Sequence, residues 1–300
     1  MKKILFMLVA ASVSMAAQAK ILRVSNVAGS SAPYTSFDSA QADANEGDTI
    51  MLDASATSYG KVDIKKRLVI LGPGYDLIRN GIVYEGADAA CFSGGTRVSA
   101  EGTVLKGLRI INEGGGSLTL AANKIIVNRC YVSGLIYLRN ASNSVIHQCY
   151  CHGVEGYGSD FQESFIQVTN SIITSRISVL HDSYVAYNTT YDCAPFACKN
   201  CTFEYNMNQR EWNDTNNTYV NNLQTRAYVS VLNKTSPFDG DVKEVEIDED
   251  TRGTYGAFAG DDPYVLAGIP SGPVIQDLIV PTTVEKGSTM SVTVKVGVVK

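Results

Sequence analysis

A six-residue phrase that recurs through the middle of the chain constrains the fold more than any other feature. It reads apolar, any residue, Gly/Arg/Gln/Asn, small or Cys, any residue, apolar. A period of about 20 residues with one short strand per repeat is typical of a solenoid. The copies are Leu105–Ile110, Val127–Val132, Ile146–Cys151, Val168–Ile173, Ala186–Tyr191 and Cys198–Phe203. Their fourth positions, which we expect to stack in one inward column, are Leu108, Cys130, Cys149, Ser171, Thr189 and Cys201.

A second set of short apolar segments lies between the phrases, at Leu118–Leu120, Ile136–Leu138 and Ile177–Val179. Each repeat therefore holds at least two short β segments joined by Gly, Asn and Ser turns, and these segments stack in parallel on those of the next repeat. The 26 Gly and the low charged fraction of 18% favour β structure with many turns. The third position of the phrase falls where the chain bends, and its Asn members tolerate the left-handed conformation.

The seven cysteines lie between Cys91 and Cys201. In an exported protein they would suggest disulfides, although an odd number leaves at least one thiol unpaired. Cys130, Cys149 and Cys201 share the fourth position of the phrase, so we expect stacked, buried thiols that behave as small hydrophobes. A local bridge among Cys193, Cys198 and Cys201 remains open as the exception.

The N-terminal residues have the pattern of an export signal. Lys2 and Lys3 precede an apolar stretch, and Ala17–Ala19 fits the small-x-small cleavage rule. We expect residues 1–19 to be a signal peptide and the protein to be secreted. No later run of about 18 apolar residues predicts a membrane span.

The two ends of the solenoid have candidate covers. Ser36–Glu46 places Phe37, Ala40 and Ala44 on one helical face behind Ser36 as N-cap, which predicts a helix over the first coil. Val274–Val299 alternates like two strands and predicts a hairpin that covers the far end or forms a small module. The expected division is signal peptide 1–19, solenoid domain 20–265 and β tail 266–300.

These segments resemble a known family. The repeats resemble the right-handed parallel β-helix of the pectate-lyase-like kind, and 37–77 is similar to the first coil of that family. The segment Gly256–Pro270 looks like a C-terminal signature of secreted β-helix proteins from Gram-negative bacteria. The resemblance implies an all-β, right-handed parallel β-helix with an N-terminal capping helix and a C-terminal β-hairpin. Enzymes of this fold mostly cut acidic polysaccharides, so a polysaccharide lyase or glycoside hydrolase is one functional hypothesis.

The charged groups that such enzymes need are not assembled in the repeats. Lyases need a base and often calcium, and hydrolases need two carboxylates across the bond. The sequence's one Asp pair, Asp261–Asp262, lies outside the repeats, Asn188–Thr190 lacks the acid of an Asn-x-Asp motif, and His152 lacks a preceding Gly. We therefore favour a non-catalytic protein.

No metal site or cofactor is expected. His147, Cys149 and Cys151 would share a strand face, but zinc ligands usually converge from two segments and both cysteines fill apolar slots. The acidic stretches Asp239–Asp241 and Asp248–Asp250 could bind calcium, yet their spacing is not that of an EF-hand. A solvated acidic loop is the preferred interpretation.

Outward aromatic residues are the remaining clue to function. Tyr131, Tyr137 and Tyr150 fall at outward positions of neighbouring coils and are the candidate ligand-binding residues, since flat rings can cover sugars. They could instead simply cover the solenoid wall. The net charge of −5 argues against nucleic acid as partner. We expect a secreted, non-catalytic β-helix protein that binds a polysaccharide or another extracellular partner; a structural or adhesive surface protein is the further alternative.

Overall fold

The computed structural model describes residues 19–78, 87–111, 118–157, 164–191, 193–212, 215–224, 249–269, 272–279 and 292–299. The predicted signal peptide, except Ala19, and the possible calcium ligands Asp239, Asp241 and Asp248 lie outside the described residues. The chain is a nearly all-β parallel solenoid of about 8 turns with 7% helix, which confirms the predicted fold class. In the parts described, no helix is both long and apolar enough to cross a membrane.

The elements are short, as a solenoid requires. The helices are α1 (Phe37–Asp43), α2 (Glu249–Thr254) and a 3-10 turn (Leu266–Gly268). The strands are β1 (Ile21–Val24), β2 (Thr49–Leu52), β3 (Val62–Ile64), β4 (Val69–Leu71), β5 (Cys91–Ser93), β6 (Thr96–Val98), β7 (Val104–Lys106), β8 (Arg109–Ile111), β9 (Leu118–Leu120), β10 (Ile126–Asn128), β11 (Tyr131–Leu138), β12 (Val145–His147), β13 (Tyr150–Gly156), β14 (Gln167–Thr169), β15 (Ile172–Ser178), β16 (Tyr184–Ala186), β17 (Thr189–Thr190), β18 (Pro195–Phe196), β19 (Thr202–Glu204), β20 (Met207–Asn208), β21 (Thr218–Val220), β22 (Leu223–Gln224), β23 (Gly272–Ile279) and β24 (Thr293–Val299).

The strands form a prism with three faces. The first face is the ten-stranded parallel sheet β1-β2-β4-β7-β10-β12-β14-β16-β19-β21. A twelve-stranded parallel sheet makes the other two, because its pairing register shifts within β11 and β13. We call the second face β5, β8, the first halves of β11, β13 and β15, and β17, β20 and β22. The third face comprises β3, β6, β9, the second halves of the same three strands, and β18.

Stacking of the apolar centres of the strands builds the interior. On the first face Leu105 pairs with Val127, which pairs with Ile146, and Ile146 pairs with Val168. All four are fully buried, and their outward neighbours are more exposed, as alternation along a strand predicts. The first four copies of the phrase therefore have the predicted register, and Leu108, Cys130, Cys149 and Ser171 are buried at the corner that follows.

The predicted column is wrong at its last two members. Val168 pairs with Val185, and Val185 pairs with Phe203, so the fifth and sixth copies begin at these residues. The fourth position of these two copies is then filled by Asn188 and Asn206, and Asn222 takes the equivalent place in the next turn, where Tyr219 pairs with Phe203. Thr189 instead lies on the outer side of the second face, next to Ile172 and Met207. Cys201 lies at the other end of the first face, just before β19.

Asparagine replaces cysteine because its amide can bond the backbone of neighbouring turns. The Asn188 Nδ2 donates to the carbonyl oxygens of Val168 (2.8 Å) and Ala186 (3.0 Å), and its Oδ1 accepts from the Ser171 N–H (2.9 Å). Asn206 bonds Asn188 in turn, with Oδ1 accepting from both its backbone and side-chain amides. These bonds satisfy polar groups that would be costly if unpaired in the interior.

The helix α1 occupies the predicted position, although it ends at Asp43. The Ser36 Oγ accepts from the Ser39 N–H, as an N-cap does. Phe37 and Ala40 join the interior, where the Phe37 ring meets Phe92 edge-on with centroids 5.5 Å apart. At the other end of the chain, β23 and β24 pair as an antiparallel hairpin. That this hairpin covers the far end of the solenoid stays a prediction.

Candidate ligand-binding faces

The outward residues of the second face form one column that includes two of the predicted binding residues. Tyr131 pairs with Tyr150 in the parallel sheet, and their rings stack with centroids 5.2 Å apart and planes within 1°. The members of the column, in order, are Cys91, Arg109, Tyr131, Tyr150, Ile172, Thr189, Met207 and Leu223.

Residues 256–269, which we call the strap, lie across this column. The strap runs back along the solenoid, from the turn that holds Tyr205 to the turn that holds Tyr75. Its backbone is bonded at most turns on the way. The bonds join Gly256 N to Tyr205 O, Ala257 N to Thr189 Oγ1, Asn170 Nδ2 to Ala259 O, Gln148 Nε2 to Pro263 O, Tyr75 N to Ala267 O and an Arg129 guanidinium nitrogen to Ile269 O.

A second apolar core lies between the strap and the second face. Its centre is the pair Tyr75 and Tyr264, whose hydroxyl oxygens are 2.6 Å apart and whose side chains are almost fully buried. Tyr131 and Tyr150 pack partly buried against this cluster, and burial raises the pKa of both phenols. Their stacked rings therefore form part of the packing between the strap and the solenoid wall and are only partly exposed.

The side chains of His147, Cys149 and Cys151 do not share a strand face. His147 lies on the outer side of the first face, where its Nδ1 is 2.7 Å from Thr169 Oγ1 and its Nε2 is 2.9 Å from Asp262 Oδ2 of the strap. Cys149 and Cys151 are buried in the interior, and burial raises the pKa of Cys149 to about 12. Within the described ranges, no group of three or more His, Cys, Asp or Glu residues could hold a metal ion.

The third face carries the remaining predicted residue. Tyr137 is half-buried and lies between Thr119 and Glu155 in an outward column. Three strands further along the solenoid, about 14 Å from Tyr137 at the usual strand spacing, Phe196 is 72% exposed. The small side chain of Ser178 separates Glu155 from Phe196. The structure thus places Tyr137 on a different face from Tyr131 and Tyr150.

Charged groups flank this column. The Arg176 guanidinium donates to Glu155 Oε2 at 3.1 Å, and the carbon at the centre of the Arg139 guanidinium lies 4.0 Å from the ring centroid of Tyr157, which is 58% exposed. His152 Nδ1 is 3.2 Å from Thr174 Oγ1. Partial burial, and then the Arg176 charge, lower the pKa of His152. We call Tyr137, Glu155, Tyr157, Arg176 and Phe196 the third-face site.

The other four members of this site, Glu155, Tyr157, Arg176 and Phe196, were not predicted from the sequence. The second set of short apolar segments continues for one more turn, since Pro195–Phe196 pairs with Ile177–Ser178. That continuation would have pointed to Phe196. The strand β18 has only two residues, so it shows no alternation that would reveal it. Tyr157 follows the last residue of β13 and carries no repeat signal of its own.

No protein-family model, curated protein or solved structure matches the chain closely enough to support an inference. The resemblance to the pectate-lyase-like family therefore gains no support from these comparisons. The function has to be argued from the faces themselves.

Proposed function

We propose that this chain is a secreted, non-catalytic binding protein whose third face holds an extended polysaccharide. The observation that carries the proposal is the exposure of two large aromatic rings, Tyr157 and Phe196, on the same flat wall as Tyr137. Large exposed aromatic residues flanked by polar groups mark interaction sites. Arg176 and Glu155 add hydrogen-bond donors and acceptors between the rings.

The spacing of carboxylates supports binding rather than hydrolysis. Glycosidases place two carboxyl groups roughly 5 to 10 Å apart. Among the described residues of the outward column of the third face, the carboxylate nearest to Glu155 is Asp63, four strands away, or about 19 Å at the usual spacing.

One observation favours a lyase as the second candidate. A neutral imidazole can accept a proton, and the lowered pKa of His152 keeps the ring neutral at neutral pH. His152 also lies beside Arg176, whose charge could stabilise an anionic intermediate. The absorbance of unsaturated sugar ends distinguishes this candidate from a pure binder.

The test is a binding screen with matched variants. The purified mature chain is titrated with a panel of neutral and acidic polysaccharides by calorimetry, while absorbance is followed for unsaturated ends. We expect Phe196→Ala and Tyr157→Ala each to weaken binding by about tenfold, as the loss of an aromatic anchor does. Tyr184→Ala is the control, because Tyr184 is 37% exposed on the first face.

Two results would overturn the proposal. One is an absence of binding across the panel; the other is binding that a Tyr157→Ala/Phe196→Ala double variant leaves unchanged. Release of unsaturated ends that His152→Gln abolishes would establish the lyase in place of the binder.

A further inference from the structure

Three cysteines meet at the corner that leads from β18 into β19. Cys198 and Cys201 are separated only by Lys199 and Asn200, and the chain reverses at Asn200, whose φ is 55°. Both cysteine side chains consequently point inward and are only 5% and 1% exposed. Cys193 is buried one short strand earlier.

The sulfurs of Cys198 and Cys201 both contact carbonyl oxygens of the preceding turn. The Cys201 Sγ lies 3.4 Å from the Leu180 carbonyl oxygen, and the Cys198 Sγ lies 3.9 Å from the Ile177 carbonyl oxygen. The two thiols also interact with each other, and this interaction raises the pKa of Cys198 and lowers that of Cys201. A disulfide needs Cβ atoms about 3.8 Å apart, and two inward side chains on either side of a two-residue turn lie close to that geometry.

We propose that Cys198 and Cys201 form a disulfide that locks the corner between β18 and β19, while the other five thiols stay reduced. The two side chains point inward on either side of one two-residue turn, which favours this pair among the three bridges that the sequence leaves open. The inference does not depend on the proposed polysaccharide function.

The reaction balances with a small-molecule disulfide as oxidant. Cys201 loses its proton and its thiolate attacks one sulfur of the oxidant, releasing one thiol and leaving a mixed disulfide. The Cys198 thiolate then attacks the Cys201 sulfur and releases the second thiol. Two electrons pass from the cysteine pair to the oxidant. The hydrogen bond from Cys198 lowers the pKa of Cys201, which suits Cys201 for the first attack.

The oxidant can reach the thiols of Cys198 and Cys201 from the surface after a small local opening. Ala197, Lys199 and Asn200 are exposed, and β18 contributes only two residues to its sheet. Local opening of so short a strand needs far less free energy than global unfolding. The thiols of Cys130, Cys149 and Cys151 are fully buried in the interior.

The test is oxidation of the folded full chain by glutathione disulfide, followed by alkylation in denaturant and peptide mass mapping. We expect two alkylated thiols fewer than in the reduced chain and a peptide cross-link that joins Cys198 to Cys201. Cys193→Ala should keep this cross-link and Cys198→Ala should lose it; Cys149→Ala is the control for an unrelated buried thiol. Amide exchange at Lys199, whose N–H bonds the Leu180 carbonyl at 2.9 Å, should slow severalfold on oxidation.

Three results would overturn the proposal. The native chain could keep all seven thiols alkylatable after oxidation, the cross-link could join Cys193 instead, or the pair could oxidise only in denaturant. If Cys198→Ala fails to fold, the cross-link map of the wild-type chain and its Cys193→Ala variant still decides the question.

Discussion

The second and third faces of the prism carry the same kind of outward residue but have different surroundings. On the second face Tyr131 and Tyr150 stack under the strap, whose Tyr264 completes a second apolar core. On the third face Tyr157 and Phe196 are more than half exposed. The comparison shows that an outward position in a solenoid repeat is not the same as an exposed one, because a distant segment of the chain can cover part of a column.

The largest expected effect is the loss of Tyr264. Tyr264→Ala should lower the free energy of unfolding by about 3 to 5 kcal/mol, since it removes a buried aromatic ring and the hydrogen bond between the Tyr75 and Tyr264 hydroxyls. Phe196→Ala, on the third face, should change it by no more than about 0.5 kcal/mol. Urea denaturation followed by circular dichroism measures both. Similar losses of unfolding free energy in the two variants would contradict the view that the strap packs on the second face while the third face stays exposed.

A smaller loss of stability is expected from a substitution at Gly268, near the end of the strap. Gly268 has a φ of 56°, and a Cβ there would collide with the Tyr75 ring and the Arg129 carbonyl oxygen. Gly268→Ala should therefore cost about 1 to 3 kcal/mol of unfolding free energy. The control is Gly253→Ala in α2, where a Cβ would meet nothing within 4 Å.

Gly253→Ala should be neutral or stabilise the chain by up to about 1 kcal/mol, as replacement of a helical Gly does. Both variants are compared by the same denaturation experiment. If Gly268→Ala were as stable as Gly253→Ala, the strap would not be held against the second face as described.

The sequence was sufficient for the fold because its signal is repeated. Leu105, Val127, Ile146 and Val168 occupy equivalent positions, and each copy strengthens the same interpretation. The fifth copy is one residue out of register because Asn188 suits the third position of the phrase as well as the fourth position that it fills. The sixth copy falls at the wrong corner because each turn has two similar corners, each with a left-handed residue that a small or amide side chain often follows. The left-handed residues of the two corners include Arg129, Gln148, Asn170 and Tyr187 after the first face and Lys124, Asn143, Asp182 and Asn200 before it.

The candidate site was less predictable from the sequence, because the exposure of an outward residue depends on which segment of the chain packs over its face. Tyr131 and Tyr264 are far apart in the sequence, and no periodicity links the strap to the column that it covers. In the sequence, the segment Gly256–Pro270 shows only a resemblance and predicts no structural role. Its small residues are now explained, because Ala257, Ala259 and Ala267 fit closely against the solenoid and are almost fully buried.

The smallest expected effect is on the protonation of His152. It tests whether this side chain on the third face is accessible to solvent and yet partly shielded from water. Partial burial and the Arg176 charge lower the pKa of His152 from its ordinary value of 6.5 in the folded chain. The unfolded chain then binds more protons than the folded chain at pH values between the two pKa values. Stability contributed by His152 is therefore present above about pH 6.5 and declines as the pH falls through this window.

Because His152 is partly exposed, this contribution should amount to only about 0.3 kcal/mol, which is better detected by NMR titration of the imidazole than by denaturation. We expect a midpoint below 6.5 that moves upward in Arg176→Met, because that variant removes the neighbouring positive charge. Thr174→Val is the matched control: it removes the hydroxyl partner of His152 and leaves the Arg176 charge in place. A midpoint at or above 6.5 in the wild-type chain would show that the imidazole is fully hydrated, and the third face would then lack the neutral base on which the lyase candidate depends.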